Sequence, residues 1–497
     1  MVKEQYESLK TGGNLRKDLI ALKQELKQEE SRQELLEILK GDYTVLLDLL
    51  CHEDAKVRGN AAVVLGRLKQ NEFVAPLYET YGKEQKLFVK SSYLSALSEL
   101  DISSCRAGLE ERLNSLEHYK PKEEEEKHIR EELKVLRNLL HTGQSRQKHR
   151  FRGYDETYEL ILTTGKQYQK ITASQVHGGK ITILKSGVRV ITSHIRPILK
   201  IPTYGELLFP LNIGKVEPDP GQAARALAQS DLMELLDRAH KAEDSYYFRL
   251  GVHSRMPLDK RSDFAGKCAF ALERETGRRL YNSTSDYEVE IRLTERKDGT
   301  FLPLVKLYTF GENRFAYRKR TVAASIRPEQ AALIAHLAEP YLRERAQILD
   351  PFCGVGTMLI ERDRLCPARV MYGIDIFGEA IDGARENTAL AGKTVNFIQR
   401  DFFAFQHDYL FDEIITNMPD RGRRTREEHD LFYGDFFAKA KEVLTEQGRI
   451  ILYSNEKNYV KKQLRLRKEF ILLQEYSMDE KGIYSLFIIG KRNCDRL

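Results

Sequence analysis

A chain of 497 residues is long enough for about three domains, and with 41% hydrophobic and 31% charged residues it can build a sizeable core under a soluble surface. Its net charge of +6 is too small to imply nucleic acid by itself, and its six scattered cysteines (Cys51, Cys105, Cys268, Cys353, Cys366, Cys494) form no C-x-x-C pair, so no metal site is expected. No apolar run approaches the ~18 residues of a membrane span and none follows Met1-Val2-Lys3-Glu4, so a cytoplasmic protein without membrane association is expected.

Residues 1–42 are highly charged, with Leu19, Ile20, Leu22 and Leu26, then Leu35, Leu36 and Leu39, at helical spacing. An internal repeat follows: Val57 to Leu68 aligns with Val89 to Leu100 at an offset of 32 residues, and Val45 matches Leu77 one helix earlier. Two-helix units at this period predict a solenoid. Asp54-Ala55-Lys56-Val57-Arg58 resembles the turn into the second helix of a HEAT repeat, and the flanking helices are expected to cap the two units. Such an array is either a platform for RNA or a protein partner, or a passive extension. Glu123 to Leu140 is expected to be a solvated helix. The run Arg146 to Arg152 carries Phe151 among its cations and reads either as a phosphate contact or as a domain-joining stretch.

From Tyr158 the period changes to two. Glu159–Thr163, Lys180–Leu184 and Val188–Ile191 are predicted strands, and the glycines and prolines from Pro202 to Pro220 predict a boundary. Tyr246–Val252 predicts a strand, Phe264–Thr276 a helix, and Tyr287–Leu293 and Leu302–Leu307 two more strands. With Asn282, Asp286, Tyr287, Glu288 and Val289 in place, this part looks like the second half of a THUMP domain, which would imply binding of structured RNA, notably the acceptor end of tRNA. The other reading is an unrelated α+β spacer.

Arg314 to Thr321 is basic and aromatic, and its Arg318 and Arg320 are candidate RNA contacts. Ser325 is the expected N-cap of a helix with Pro328 in its first turn. Ile348 and Leu349 then end a buried strand, and Asp350-Pro351-Phe352-Cys353-Gly354-Val355-Gly356-Thr357 turns into a helix. Glycines in such a turn let backbone N–H groups approach a ligand. Cys353 is expected to be structural. Twenty-one residues after Gly354, a second apolar run ends in Asp375, where a carboxylate can hold both hydroxyls of a ribose. The third glycine of a dinucleotide fingerprint is replaced by Leu359. Asp350, Asp375 and Asp401, after three successive strands, would line one sheet edge, which suits a cofactor with an adenosine and an amine but no phosphates: S-adenosylmethionine. Read without a ligand, they are ordinary strand-end aspartates.

The fourth strand runs Phe411 to Asp420 and ends Asn417-Met418-Pro419-Asp420. Asp-Pro-Phe-Cys-Gly-x-Gly-Thr, then Gly-Ile-Asp, then Asn-x-Pro-x, resembles the class I methyltransferases that modify exocyclic amines of bases, and within them the THUMP-containing RNA guanine-N2 methyltransferases. The resemblance is good over residues 313–497, weaker over 216–312 and absent before that. It implies cofactor contacts from Asp350, Phe352, Gly354, Gly356, Thr357, Asp375, Ile376, Asp401, Phe402 and Asn417, and a catalytic lip of Asn417, Pro419 and Asp420. Met418 stands where the family has a proline, and Asp420 where it has an aromatic that stacks on the base. A carboxylate can accept both N1–H and N2–H of guanine, so Asp420 would select guanine by its edge while Phe352 or Phe377 supplies stacking; alternatively Asp420 pairs with Arg421 or Arg423. Arg421, Arg423 and Arg424 directly follow and are candidate phosphate contacts, or a solvated face. A helix from Glu428 to Leu444 with Leu431, Phe432, Phe436 and Val443 inward, a strand at Arg449–Tyr453 and a final hairpin (Ile471–Leu473, Ile483–Ile489) complete the chain.

The expected architecture is multidomain: an all-α HEAT-like region over 1–145, an α+β THUMP-like region over 151–312, and an α/β Rossmann-like methyltransferase domain with a seven-stranded sheet over 313–497. The expected activity is S-adenosylmethionine-dependent methylation of guanine N2 in tRNA. Ribosomal RNA, adenine N6 in nucleic acid, and a non-catalytic RNA-binding scaffold that keeps the fold are the alternatives.

Overall fold

Leucines at every third or fourth position make the first third of the chain helical, and period-two alternation makes the rest a pair of sheets. The computed structural model describes residues 2–119, 121–141, 148–165, 167–242, 244–311, 313–323 and 325–492; Arg146 and Gln147 of the basic run, and Cys494, lie outside them. The chain divides into two compact units, Met1–Gln147 and Lys148–Leu497.

In the first unit the repeated segments are helices Ala55–Arg67 and Leu87–Leu97, packed on each other. A Cβ at Gly66 would stand 2.5 Å from Cα of Ala96, so small residues set the approach. The matched cations reach different backbone carbonyls. Arg58 donates to the carbonyls of His52 (2.8 Å) and Glu53 (3.0 Å), and Lys90, at the equivalent position, donates to the carbonyl of Tyr81 (3.0 Å). Helix Glu123–His141 departs from expectation. It is amphipathic rather than solvated, burying Ile129, Leu133, Leu136, Leu139 and Leu140, and its buried Glu132 accepts from Tyr81 Oη (2.6 Å) and Arg112 Nε (3.0 Å). The glutamate run at its start obscured that face.

The second unit holds two sheets. The first contains β1 (Tyr158–Thr163), β2 (Lys180–Leu184), β3 (Gly187–Thr192), β4 (Leu207–Pro210), β5 (Tyr246–His253), β6 (Leu280–Asn282), β7 (Val289–Glu295) and β8 (Phe301–Leu307), in the order β2-β3-β1-β4-β8-β7-β5-β6. The expected boundary at Pro202 to Pro220 is instead the join between its halves. Leu207, Leu208 and Phe209 are buried, and β4 pairs with β1 on one side and β8 on the other. Helices Pro220–Ala228, Leu232–His240 and Leu258–Glu275 supply apolar residues to its core.

The second sheet contains β9 (Gln347–Asp350), β10 (Val370–Asp375), β11 (Asn396–Gln399), β12 (Phe411–Asn417), β13 (Leu444–Ser454), β14 (Phe470–Ser477) and β15 (Ser485–Lys491), in the order β11-β10-β9-β12-β13-β15-β14. The ladders from β11 to β13 are parallel and β15 is antiparallel to both its neighbours. Outward order from β9 reverses between β10 and β12, which opens a crevice beyond the carboxyl ends of β9 and β12, the place where open α/β sheets bind ligands. Behind it, Arg362 and Glu413 form a fully buried, two-pronged ion pair, with Nε to Oε1 at 3.0 Å. The two sheets meet where Tyr168 Oη donates to the carbonyl of Ser477 (2.7 Å) and where Arg314 lies over the Tyr204 ring (3.6 Å).

Two local expectations need correction. Ser325 does not cap the next helix: its Oγ accepts from the N–H of Val322 (2.8 Å), and helix Pro328–Ala338 starts from an extended Arg327. The helix after the fourth strand begins at Arg426, capped reciprocally by Thr425 and Glu428, and Leu431 faces outward while His429, Tyr433 and Phe437 join Phe432 and Phe436 inside. Among the described residues no helix is long and apolar enough to cross a membrane.

Candidate active site

Strand β9 ends at Asp350, and the chain must reverse at once to enter helix Thr357–Leu365. Gly354 (φ +52°) and Gly356 (φ +80°) take the left-handed conformations this needs, which side chains with a Cβ disfavour. The turn is pinned to the next strand: Cys353 N–H donates to the carbonyl of Ile374 (2.9 Å) and Gly354 N–H to Asp375 Oδ2 (2.9 Å). Cys353 is buried, and burial pushes its thiol well above the usual range, so it is not a ready nucleophile.

The carboxylates at the three strand ends differ. Asp350 is 1% exposed and accepts from Thr416 Oγ1 (2.8 Å) and Phe352 N–H (3.1 Å). Burial, helped by the nearby charge of Asp375, pushes it up to about 7 against those hydrogen bonds. Asp375 is half-buried and accepts backbone N–H groups on both oxygens, from Gly354 and from Phe377 (3.0 Å). Asp401 is exposed and accepts from Phe403 N–H (3.0 Å). Beside Asp375, Ile376 and Phe377 are 56% and 66% exposed, an apolar edge open to solvent.

At the other end of the crevice, Asn417 closes β12 in register with Tyr453 of β13. Its amide makes no hydrogen bond with another described residue. Met418 is buried and donates its N–H to the carbonyl of Tyr453 (2.9 Å), a bond that a proline in its place could not make. Asp420 is exposed; its Oδ1 accepts from Asn455 Nδ2 (2.9 Å), its backbone carbonyl accepts from Arg424 (3.4 Å), and no ion pair joins its carboxylate to Arg421 or Arg423 among the described residues. The expected alternative pairing is therefore replaced by a neutral clamp. Arg424 lies over the Phe432 ring (4.2 Å). Phe352, half-buried, packs against Phe402, Phe432 and Phe436, the first two on the same stretch of cavity wall.

One cavity of about 1310 Å3 joins these ends, with Asp350, Phe352, Gly354, Thr357, Asp375, Ile376, Asp401, Phe402, Asn417, Pro419, Asp420, Arg421, Arg423 and Arg424 on its wall. That is more than most single ligands fill. Gly356, Arg318 and Arg320 are not on the wall. Gly356 serves as the helix N-cap, Arg318 is half-buried with Nε unpartnered, and Arg320 is paired to Glu386 (2.7 Å). Sequence reading missed Asn387, which is fully buried. It accepts from the N–H groups of Lys319 and Arg320 (both 3.0 Å) and donates to the carbonyls of Arg320 (3.0 Å) and Val355 (3.2 Å), tying the basic segment to the glycine turn. A lone asparagine on the Ile381-Ala384-Thr388 stripe of helix Gly378–Leu390 was the available signal.

The wall fits S-adenosylmethionine. Thr357 Oγ1 and Gln330 Nε2 are buried polar atoms without a protein partner, as a polar ligand requires. Asp375 retains lone pairs for a ribose, and Asp350 is a carboxylate whose charge a cation would restore.

Comparison with known proteins agrees. Residues 316–482 match the family UPF0020, described as RMKL-like, methyltransferase domain. The chain is 29% identical over 180 residues to a tRNA (guanine(10)-N2)-dimethyltransferase of Methanothermobacter thermautotrophicus, covering 36% of this chain and 52% of that protein. It is 26% identical over 184 residues to the U6 snRNA (guanine-N(2))-methyltransferase THUMPD2 of Mus musculus, covering 36% of this chain and 33% of that one. The aligned part thus spans about half the length of the first relative and a third of the second. Among solved structures, TrmN from Thermus thermophilus superposes with a TM-score of 0.51 at 19% identity, covering 68% of this chain and 100% of that one. SMU.472, a putative methyltransferase complexed with SAH, superposes at 0.52 and 15% identity, covering 68% and 99%. Residues 316–482 thus match the UPF0020 model, and the sheet they build has the Rossmann-like fold of the class I methyltransferases.

Proposed function

We propose that the protein is an S-adenosylmethionine-dependent RNA methyltransferase that acts on guanine N2, with tRNA as its substrate. The observation that carries this reading is an unengaged amide, Asn417, at the lip of the same cavity whose floor carries Asp350 and Asp375. The cofactor, held by Asp350, Gly354, Thr357, Asp375, Ile376, Asp401 and Phe402, supplies a methyl group on a positively charged sulfur. The chain's task is then mostly positioning, bringing an amine to ~3–3.5 Å on axis. Guanine N2 is a poor nucleophile because its lone pair is conjugated into the ring. N–H bonds from N2 to the Asn417 side-chain oxygen and to a backbone carbonyl at Met418 draw that lone pair out of conjugation, and the fixed φ of Pro419 holds the carbonyl's direction. The base must leave its stack first, at a few kcal/mol.

Asp420 reads guanine by accepting N1–H and N2–H, oriented by Asn455. Arg421, Arg423 and Arg424 hold the backbone near the flipped base, and Arg318 and Arg320 stiffen the strap behind the cofactor turn. Residues 151–312 are a THUMP-like RNA-binding region, residues 1–145 a HEAT-like array that widens the RNA footprint or carries a protein partner, and the location is cytoplasmic. The names of the two relatives, one acting on tRNA and one on U6 snRNA, support guanine N2 over the choice of RNA. The test is tritiated methyl transfer into total RNA from a deletion strain, followed by nucleoside mapping. Label in N2-methylguanosine of tRNA is expected; label in N6-methyladenosine, or none, would overturn the assignment. Asp420→Tyr is expected to slow transfer by roughly tenfold, since one good base-edge contact is worth ~1–3 kcal/mol; unchanged turnover would remove Asp420 from base selection.

A further inference from the structure

The aromatic ring missing at position 420 has a replacement one strand away. We propose that Tyr453 and Tyr484 form the platform on which the target base stacks, an inference that rests on the RNA methyltransferase reading above. Asn417 and Tyr453 are register partners in adjacent parallel strands, so their side chains lie on one face of the sheet, ~4.8 Å apart along it. The Tyr484 ring, just before β15, lies parallel to that of Tyr453, with centroids 5.2 Å apart and an interplanar angle of 12°. Both rings are half-buried on the cavity wall beside Asn417, Pro419 and Asp420. Neither hydroxyl makes a hydrogen bond with a described residue, so no polar contact within the fold calls for tyrosine at either position.

Two parallel, offset rings on one wall of the cavity form a surface that a third planar ring can extend. A base on that face has its amino edge beside Asn417. The two other aromatic candidates are placed differently: Phe352 shares its stretch of wall with Phe402 and Phe432 and is not a register partner of Asn417, and Phe377 lies beside Asp375, on the sugar side of the cavity. The fixing of the lip works in the same direction. Met418 N–H on the Tyr453 carbonyl and Asn455 on Asp420 both tie the end of β12 to the end of β13, so the edge-reading groups and the stacking ring move as one body.

The experiment uses the full-length protein with Tyr453→Leu, Tyr484→Leu and Tyr453→Phe, assayed by tritiated methyl transfer into total RNA from the deletion strain. Binding of S-adenosylhomocysteine by calorimetry and the thermal midpoint are measured beside it. Stacking of a base on an aromatic ring predicts a loss of roughly ten- to hundredfold in transfer for the leucine variants, with most of it recovered in Tyr453→Phe. In the leucine variants S-adenosylhomocysteine affinity stays at the wild-type value, while the thermal midpoint falls by a few degrees as a half-buried, stacked ring is lost and the variants remain folded at the assay temperature. Leucine variants that transfer methyl as fast as wild type would overturn the platform, as would a loss that appears equally in S-adenosylhomocysteine affinity, which would move the rings to the cofactor's side. A wild type that binds S-adenosylhomocysteine yet labels no RNA would sink the methyltransferase reading and this inference with it.

Discussion

The two sheets of the larger unit treat polar groups in opposite ways. On the central sheet one charged cluster satisfies itself, although Tyr158 Oη on β1 is buried without a hydrogen-bond partner. Glu206 accepts from Arg292 (2.5 Å) and Lys306 (2.8 Å), Arg292 also donates to Glu290 (2.9 Å), and Glu290 accepts from Tyr308 (2.8 Å). On the open edge of the C-terminal sheet the matching groups are satisfied on one side only. Asp375 is gripped by two backbone N–H groups and still faces the cavity, Asn417 has no partner among the described residues, and Thr357 and Gln330 keep buried polar atoms free. An unpaired buried group costs about 1–3 kcal/mol, so a row of them on one wall is informative where a closed network is not. Many charges drawn together are a poor guide to a site; charges left half-served are a better one.

Three experiments break or sharpen that contrast. The largest effect is expected from Asn417→Ala. On the proposed mechanism, loss of the Asn417 amide should cost roughly 100- to 1000-fold in methyl transfer, as loss of a preorganised polar group in an active site typically does, with S-adenosylhomocysteine binding intact by calorimetry. Near-normal transfer would mean that Asn417 is only a strand end.

Next comes Asp350→Asn. The folded-state carboxyl titrates near 7, raised from 3.8, so it binds a proton more tightly folded than unfolded. Its contribution to stability is therefore full below about 3.8 and is lost as pH rises toward about 7. Asparagine removes the penalty. The apo variant should melt several degrees above wild type at pH 8 and level with it at pH 4, by scanning calorimetry, while losing at least tenfold in cofactor affinity. Wild-type affinity for S-adenosylmethionine should rise with pH through about 7. A variant that melts lower at pH 8 would show that Asp350 is a structural anchor.

The smallest effect is expected on the closed network. Glu206 is held down to about 2, chiefly by its hydrogen bond from Arg292. That stabilisation is present above about 4.5 and is lost as pH falls toward about 2. Glu206→Gln should cost about 1 kcal/mol at pH 7, discounted for its partial exposure, and should leave cofactor affinity unchanged. A fall in that affinity would mean that the two sheets are coupled.

Much of the C-terminal site was legible because its signals are local. A glycine that must take φ > 0, a carboxylate at the end of an apolar run and an Asn-x-Pro-x turn are written in consecutive residues. Strands of the central sheet were legible by alternation, but β4 was hidden among prolines and glycines, and its role is visible only from its partners β1 and β8. The face of helix Glu123–His141 was misread because four glutamates in a row outweighed an apolar stripe that needs a neighbouring helix to cover it.

By itself, then, the sequence determined the glycine turn after β9, the strand-end aspartates and the lip Asn417-Met418-Pro419-Asp420, since backbone conformation and strand length depend on near neighbours. Tertiary structure alone decided that Asn387 clamps the basic strap, that Asn455 holds the Asp420 carboxylate while Arg424 reaches only its backbone carbonyl, and that Tyr453 and Tyr484 stack beside Asn417. Those pairings cross strands and helices that are far apart in the chain, and strand register is set by the packing of a whole sheet rather than by any one segment.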